Sequence, residues 1–331
     1  MKVIFDLRKT GLGNNGGSLT LVNSANVLCE LGHTAIIIDS MKNQYTWGPL
    51  NAAHMIIKND AQIPDADAII STGYKSVSST VSAPDRCGLK MHWIRGWETW
   101  KFDENDIVEK ILKQPTIKLV NGIQLLNKIK SLGFDAHLVR PGYDLEHFYP
   151  TGARDRTKYV IIGGLYHNND KATRKRTDWI YTTVKEMKLK YNNIKLWMFG
   201  PESDPKNPLI DKYVKSPDTK DKNDFYNSVH IWLAPTMLEG LHMPPAEAML
   251  TECFVIGNNS ELSGMADYLI DKETGAVSKN FVCDMIEKVN EYICHPDKRK
   301  IMGENGRKKI IEIGNRKQNM EKLVELIKEL K

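Results

Sequence analysis

Two glutamates eight residues apart, Glu239 and Glu247, stand in the stretch APTMLEGLHMPPAEAML, Ala234–Leu250. Pro244 and Pro245 suit a helix start, which puts Glu247 in the first helical turn. A carboxylate there is favoured by the helix dipole, and this alone would account for Glu247. It does not account for Glu239. That side chain follows an apolar run, Ile231–Ala234, on a loop rich in Gly and Pro. In open α/β sheets the loops at the C-terminal ends of parallel strands are where ligands bind. A carboxylate held there can accept hydrogen bonds from ligand hydroxyls.

A second candidate is GLGNNG, Gly11–Gly16. It follows a short apolar run and precedes a helical stripe, and Asp39 ends the next apolar run. On paper this is the G-x-G-x-x-G fingerprint of a nicotinamide-dinucleotide site. The spacing argues against it, because Asp6–Thr10 separate the strand end from the first Gly, whereas the fingerprint places that Gly at the strand end. A better reading gives the backbone amides of Gly16 and Gly17, at a helix N-terminus, to a phosphate or a sugar. Asp65-x-Asp67 has the form of a metal-binding D-x-D, but it precedes an apolar strand and reads as a solvated turn. His92 closes the apolar run from Leu89 and opens HWIRGWETW, in which Trp93, Trp97 and Trp100 cluster. Such a cluster is either core or an exposed platform for a sugar or a lipid interface.

The elements that must position these residues alternate in type. In the first half, strands are expected at Lys2–Phe5, Ala35–Ile38, Ala68–Ile70, Leu89–Ile94, Ile117–Val120 and Ala136–Val139. Helices are expected before Gly32 and over Leu125–Leu132. In the second half, strands at Tyr159–Ile162, Ile194–Phe199, His230–Ala234 and Phe254–Ile256 alternate with helices at Asp178–Lys188, Asp224–Ser228 and Pro245–Leu250. Three further helices, Phe281–Cys294, Asp297–Ile313 and Asn319–Leu330, complete the chain. Strands alternating with helices mean an α/β class with parallel sheets. The 331 residues suit two domains. The turn-rich segment Arg140–Pro150 sets the boundary, giving domains 1–150 and 151–315, followed by a helix, 316–331, that packs back on the first.

Taken together, these motifs resemble the family-four retaining glycosyltransferases of GT-B fold. The setting APT-x-x-EG-x-x-MPP-x-EAM carries the Glu-x7-Glu pattern. Gly16-Gly17 with CELGHTAIII, Arg140–Asp144 with FYP, RKRTDWI from Arg174, and LWMFG from Leu196 match other parts of the family's pattern in order. The resemblance implies two Rossmann-like domains with parallel sheets facing across a cleft, and transfer of a sugar from a nucleotide-diphosphate donor with retention at the anomeric carbon. Glu247 would hold the ribose hydroxyls and Glu239 the donor sugar. Gly16, Gly17, Gly240 and the backbone amides of Leu241, His242 and Met243 would face sugar and phosphate. Lys175, with Arg174, would grip the diphosphate, and His92 would line the donor site. Three departures stand out. Gly164 replaces the family's arginine, for which Lys171, Arg174 or Arg176 would substitute. Arg176 and His242 each replace a glycine.

The resemblance implies no cofactor and no metal, since Lys and Arg would supply the counter-charge. The acceptor is unnamed: a saccharide, a lipid-linked glycan or another hydroxyl. An NAD-dependent oxidoreductase and a non-catalytic sugar-nucleotide-binding subunit are the alternatives. A net charge of +5 is no nucleic-acid signature, and it fits an anionic ligand or anionic lipid heads. No apolar run approaches the ~20 residues that span a bilayer, so a cytoplasmic protein is expected, with peripheral contact at the inner membrane face compatible with its charge. Five cysteines without a CxxC argue against disulfides or zinc. Cys29, Cys253 and Cys283 read as small buried hydrophobes.

Overall fold

The structure, a computed structural model, describes residues 1–168, 173–258, 260 and 262–331. The chain divides into two compact units, Met1–Gly142 with Asn315–Lys331, and Tyr143–Gly314. The division falls at Gly142/Tyr143, ahead of the 150/151 boundary drawn from turn composition. Tyr143 and Phe148 are buried in the apolar core of the second unit, so the turn-rich segment already belongs to it. Gly142 has φ +75°, and a side chain there would run into the Asn315 backbone.

The first unit is built on seven strands: β1 (Lys2–Asp6), β2 (Thr34–Asp39), β3 (Ala53–Ile56), β4 (Ala68–Ser71), β5 (Leu89–Ile94), β6 (Ile117–Val120) and β7 (His137–Leu138). Their order is β3-β2-β1-β4-β5-β6-β7, all parallel. The central strands are apolar at successive positions because both sheet faces are covered. Val3, Phe5, Ala35, Ile37, Ala68 and Ile70 enter one core cluster, while Ile4, Ile36, Ile38 and Ile69 enter another. The split follows the two-residue period of a strand. The helix Gly16–Glu30 lies on the first of these faces, and the C-terminal helix Arg316–Leu330 packs beside it through Met320, Leu323, Val324 and Ile327. A capping box between Asn315 and Gln318 starts that last helix.

The second unit has six parallel strands: β8 (Val160–Leu165), β9 (Ile194–Gly200), β10 (Lys212–Lys215), β11 (Ile231–Ala234), β12 (Phe254–Asn258) and β13 (Ala276–Ser278). Their order is β10-β9-β8-β11-β12-β13. The order reverses between the adjacent strands β8 and β11, and this is the topological switch point at which such sheets bind ligands. The two chain segments that leave their C-terminal ends are the ones carrying Arg174-Lys175 and Glu239.

Two expectations need correction here. Cys253 is buried and Cys29 half-buried, but Cys283 is exposed; its helix, Val282–Ile293, turns Met285, Val289, Tyr292 and Ile293 inward instead. Of the tryptophan cluster, Trp93 and Trp97 are core, and the indole of Trp93 donates to Val139 O at 3.0 Å. Only Trp100 is exposed, so there is no aromatic platform of three. No helix among the described residues is long and apolar enough to cross a membrane.

Candidate active site

Past β8 a 3-10 turn, Thr173–Lys175, precedes the helix Thr177–Lys190. Lys175 therefore precedes the helix. The reason is Arg176, which caps the helix at φ +52°. His242 does the same for the helix Met243–Leu250, at φ +51°. Both residues occupy positions where the resembled pattern has glycine. The backbone has kept the left-handed turn that favours glycine while the side chain has changed, at a cost of roughly 1–2 kcal/mol each. Arg176 recovers part of this by stacking on Trp179 at 4.1 Å and bonding Asn280. Lys171, the other proposed substitute, lies outside the described residues. The missing arginine itself has no room: a side chain at Gly164 would meet Ile180, which fills that space.

The loop that follows β11 returns against this turn. The amide of Met237 donates to Arg174 O at 3.0 Å, and the Lys175 ammonium forms an ion pair with Glu239. The side chains of that pair are only 14% and 19% exposed. Burial, and then the Arg174 guanidinium beside it, push the Lys175 ammonium down to about 7. The Glu239 carboxylate in contact pulls the other way. Two histidines close the group. His242 is buried, and its imidazole is held neutral, first by burial and then by Lys175 and His167. His167 lies 3.7 Å from Glu202, and burial with the nearby Lys175 lowers it to about 4. His167 was not singled out by its sequence context. Its only signal was a place shortly after β8, in the stretch where the arginine is missing.

Gly240 and Leu241 are buried, and Met243 begins the helix Met243–Leu250. The His242 carbonyl accepts from the Tyr268 hydroxyl at 2.8 Å, which anchors this turn. Glu247 sits beyond the first turn of its helix, because the helix starts at Met243 and not at Pro245. The helix dipole is therefore not its partner. Its carboxylate instead accepts from the Tyr226 hydroxyl at 3.0 Å and lies 3.9 Å from the Lys222 ammonium. Both partners come from the helix Thr219–Ser228.

In the first unit, Gly16 and Gly17 are exposed at the start of their helix, capped by Asn15, which accepts from Ser18 N. Amides in a first turn lack intrahelical acceptors and suit an anion. Gly17 O accepts from Arg95 at 2.5 Å. Arg95 was overlooked in the sequence. It lies just past β5, and burial lowers its guanidinium to about 10 against the pull of Glu98. His92 is inside β5, which runs on to Ile94, and not at its end. It is fully buried, edge-on to Tyr74 at 5.6 Å, with no hydrogen-bond partner for either ring nitrogen among the described residues. Burial, with Lys118 and Arg95 adding to it, lowers it to about 3. The ring presents no surface to a ligand. Asp39, the acid of the dinucleotide reading, is also buried. It accepts from the amides of Leu12 and Met41 at 3.0 and 2.9 Å, so it braces the Gly-rich loop. Asp65 pairs with Arg86, and Asp67 with Lys331 and the Lys2 amide, which are roles in folding.

Two parallel α/β units of this topology, with cations after one switch-point strand and a glutamate after the other, define the GT-B glycosyltransferase fold. Among similar solved structures, sucrose-phosphate synthase from Thermosynechococcus elongatus superposes with a TM-score of 0.77 over 100% of this chain and 99% of its own, at 14% identity. Anabaena HepE, solved in complex with UDP and glucose, gives 0.78 over 99% and 100%, at 9% identity. In sequence, residues 172–309 match the model of the glycosyl transferases group 1. A capsular polysaccharide biosynthesis glycosyltransferase, CapM of Staphylococcus aureus, is 31% identical over 105 residues. That stretch is 31% of this chain and spans only 26% of CapM. By fold the chain is thus a GT-B protein, and its residues 172–309 are similar to the glycosyl transferases group 1.

Proposed function

We propose that the chain transfers a sugar from a nucleotide-diphosphate sugar to a hydroxyl acceptor, with retention at the anomeric carbon and without a metal. The observation that carries this is the meeting of Arg174-Lys175 and Glu239 beyond β8 and β11, inside the segment that matches the group 1 model. Lys175 and Arg174 take the diphosphate, on which negative charge grows as the glycosidic bond breaks. Glu239 takes the sugar hydroxyls, Glu247 the ribose, and the amides of Leu241–Met243 face sugar and phosphate. The acceptor hydroxyl attacks the face that the diphosphate leaves, and a donor phosphate oxygen takes its proton. The first unit supplies acceptor recognition, with Gly16 and Gly17 offering amides to sugar or phosphate. His92, sealed in the core, supports its strand. A cytoplasmic place of work, with peripheral contact to anionic lipid, fits the net charge of +5.

A thermal-shift screen over UDP- and GDP-sugars tests the reading, followed by assay of nucleoside diphosphate release with EDTA present. One sugar nucleotide should raise the melting temperature selectively and be turned over in EDTA to a product of unchanged anomeric configuration. Failure of every sugar nucleotide to bind overturns the proposal, and turnover that depends on added manganese overturns its metal-free part. A binding-only subunit is the second reading, favoured by the filled space at Gly164. Selective binding without release of the diphosphate, even by hydrolysis, would select it.

A further inference from the structure

The donor-site reading gives Glu239 to the sugar and Lys175 to the phosphates, as separate contacts. The structure joins them in one ion pair of two largely buried side chains. We propose that Glu239 is also a positioning residue for Lys175, holding the lysine charged and aimed, so that it governs affinity for the diphosphate even when no sugar is attached.

The surroundings of Lys175 explain why such a partner is needed. Arg174 is its neighbour in the same turn. His242, from the start of the next helix, and His167, past β8, face it as well, with Glu202 beyond His167. Arg174 repels a second positive charge and the histidines are neutral. Glu202 stands 3.7 Å from His167 and makes no ion pair with Lys175 among the described residues. Among the described residues, Glu239 is therefore the carboxylate in contact with the ammonium. Without it, burial favours the neutral amine, which attracts a phosphate far less. An ammonium has three donors, so it can keep Glu239 and still bond a phosphate oxygen.

The proposal rests on the donor-site reading, and the test separates the two. UDP and GDP, neither carrying a sugar, are titrated calorimetrically into the wild type, Glu239→Gln, Glu239→Asp and Lys175→Ala between pH 6 and 8.5. The melting temperature of each variant is checked first, and the tighter nucleotide is carried forward. Glu239→Gln should weaken binding by ~10-fold or more at pH 8. The ratio of its dissociation constant to that of the wild type should grow as pH rises, because a buried Lys175 without its carboxylate gives up its proton more readily. Glu239→Asp, which keeps the carboxylate, should restore a constant ratio. Wild-type affinity in Glu239→Gln at every pH overturns the proposal and leaves the phosphate site standing. Tighter binding by Glu239→Gln also overturns it, since the glutamate would then be a competitor for the lysine. Unchanged binding in Lys175→Ala, or no binding of either nucleotide to the wild type, overturns the donor-site reading together with the proposal.

Discussion

Glu247 carries a structural load beside the ribose contact proposed for it. Its carboxylate satisfies the buried Tyr226 hydroxyl at 3.0 Å and faces Lys222. Replacement by Ala would remove the ribose contact proposed for it and also leave a buried hydroxyl without its acceptor, which costs roughly 1–3 kcal/mol of stability. Glu247→Gln separates the two loads, because the amide oxygen can still accept from Tyr226. The expected outcome is a melting temperature near that of the wild type and nucleoside diphosphate affinity reduced by roughly 1.5–3 kcal/mol, or about 10–150-fold. Calorimetry beside a thermal melt decides it. Equal affinity removes Glu247 from the ribose. Glu239 and Glu247 could be picked out in the sequence because carboxylates among Gly and Pro have few bland explanations. The Lys175–Glu239 contact could not, since 64 residues separate the partners and only the neighbouring of β8 and β11 brings them together. Nor could the burial of His92, because one strand register decides whether a residue faces core or solvent.

At the scale of elements, the central strands were legible as apolar runs, and so was the edge strand β7, but the other three edge strands were not. Ala53–Ile56 (AHMI), Lys212–Lys215 (KYVK) and Ala276–Ser278 (AVS) are too short or too polar to stand out; an edge strand is pinned by its single neighbour more than by its own sequence. The helix Pro296–Ile313 carries Gly303 and Gly306 in its interior, where glycine usually weakens a helix by about 1 kcal/mol relative to Ala. The packing gives the reason. A side chain at 303 would press into the Glu252 carbonyl, and one at 306 would crowd Met249 and the Thr274 carbonyl. Gly303→Ala should therefore lower stability by about 1–3 kcal/mol despite its better helix propensity, as overpacking does. Urea denaturation checks this, and a gain in stability would mean that the helix and the turn at Glu252 are not held at this distance.

The whole molecule should be acid-sensitive because of its histidines. His92 and His167 are lowered to about 3 and about 4, and His242 well below its usual value, all chiefly by burial. Each is neutral when folded and takes a proton near pH 6.5 when unfolded. The unfolded chain thus binds more protons below pH 6.5, and stability falls as the pH drops from 6.5 towards 4 and below. The slope is about 1.4 kcal/mol per pH unit for each group. The expected result is a steep fall in melting temperature below pH 6. His92→Leu should flatten the fall for the first unit alone, and an unaltered slope in that variant would show that His92 is not the group being titrated.

The first unit is completed by Arg316–Leu330, at the far end of the chain from β1. On the ribosome, the face of the Gly16–Glu30 helix that receives Leu323 and Ile327 must wait for residues 143–331 to be made, roughly 10–40 s at ordinary rates of elongation. The second unit, Tyr143–Gly314, is contiguous and can finish folding inside that interval. The segment translated first is thus the last to close its core, and for those seconds it presents a half-covered apolar surface of the kind that chaperones hold.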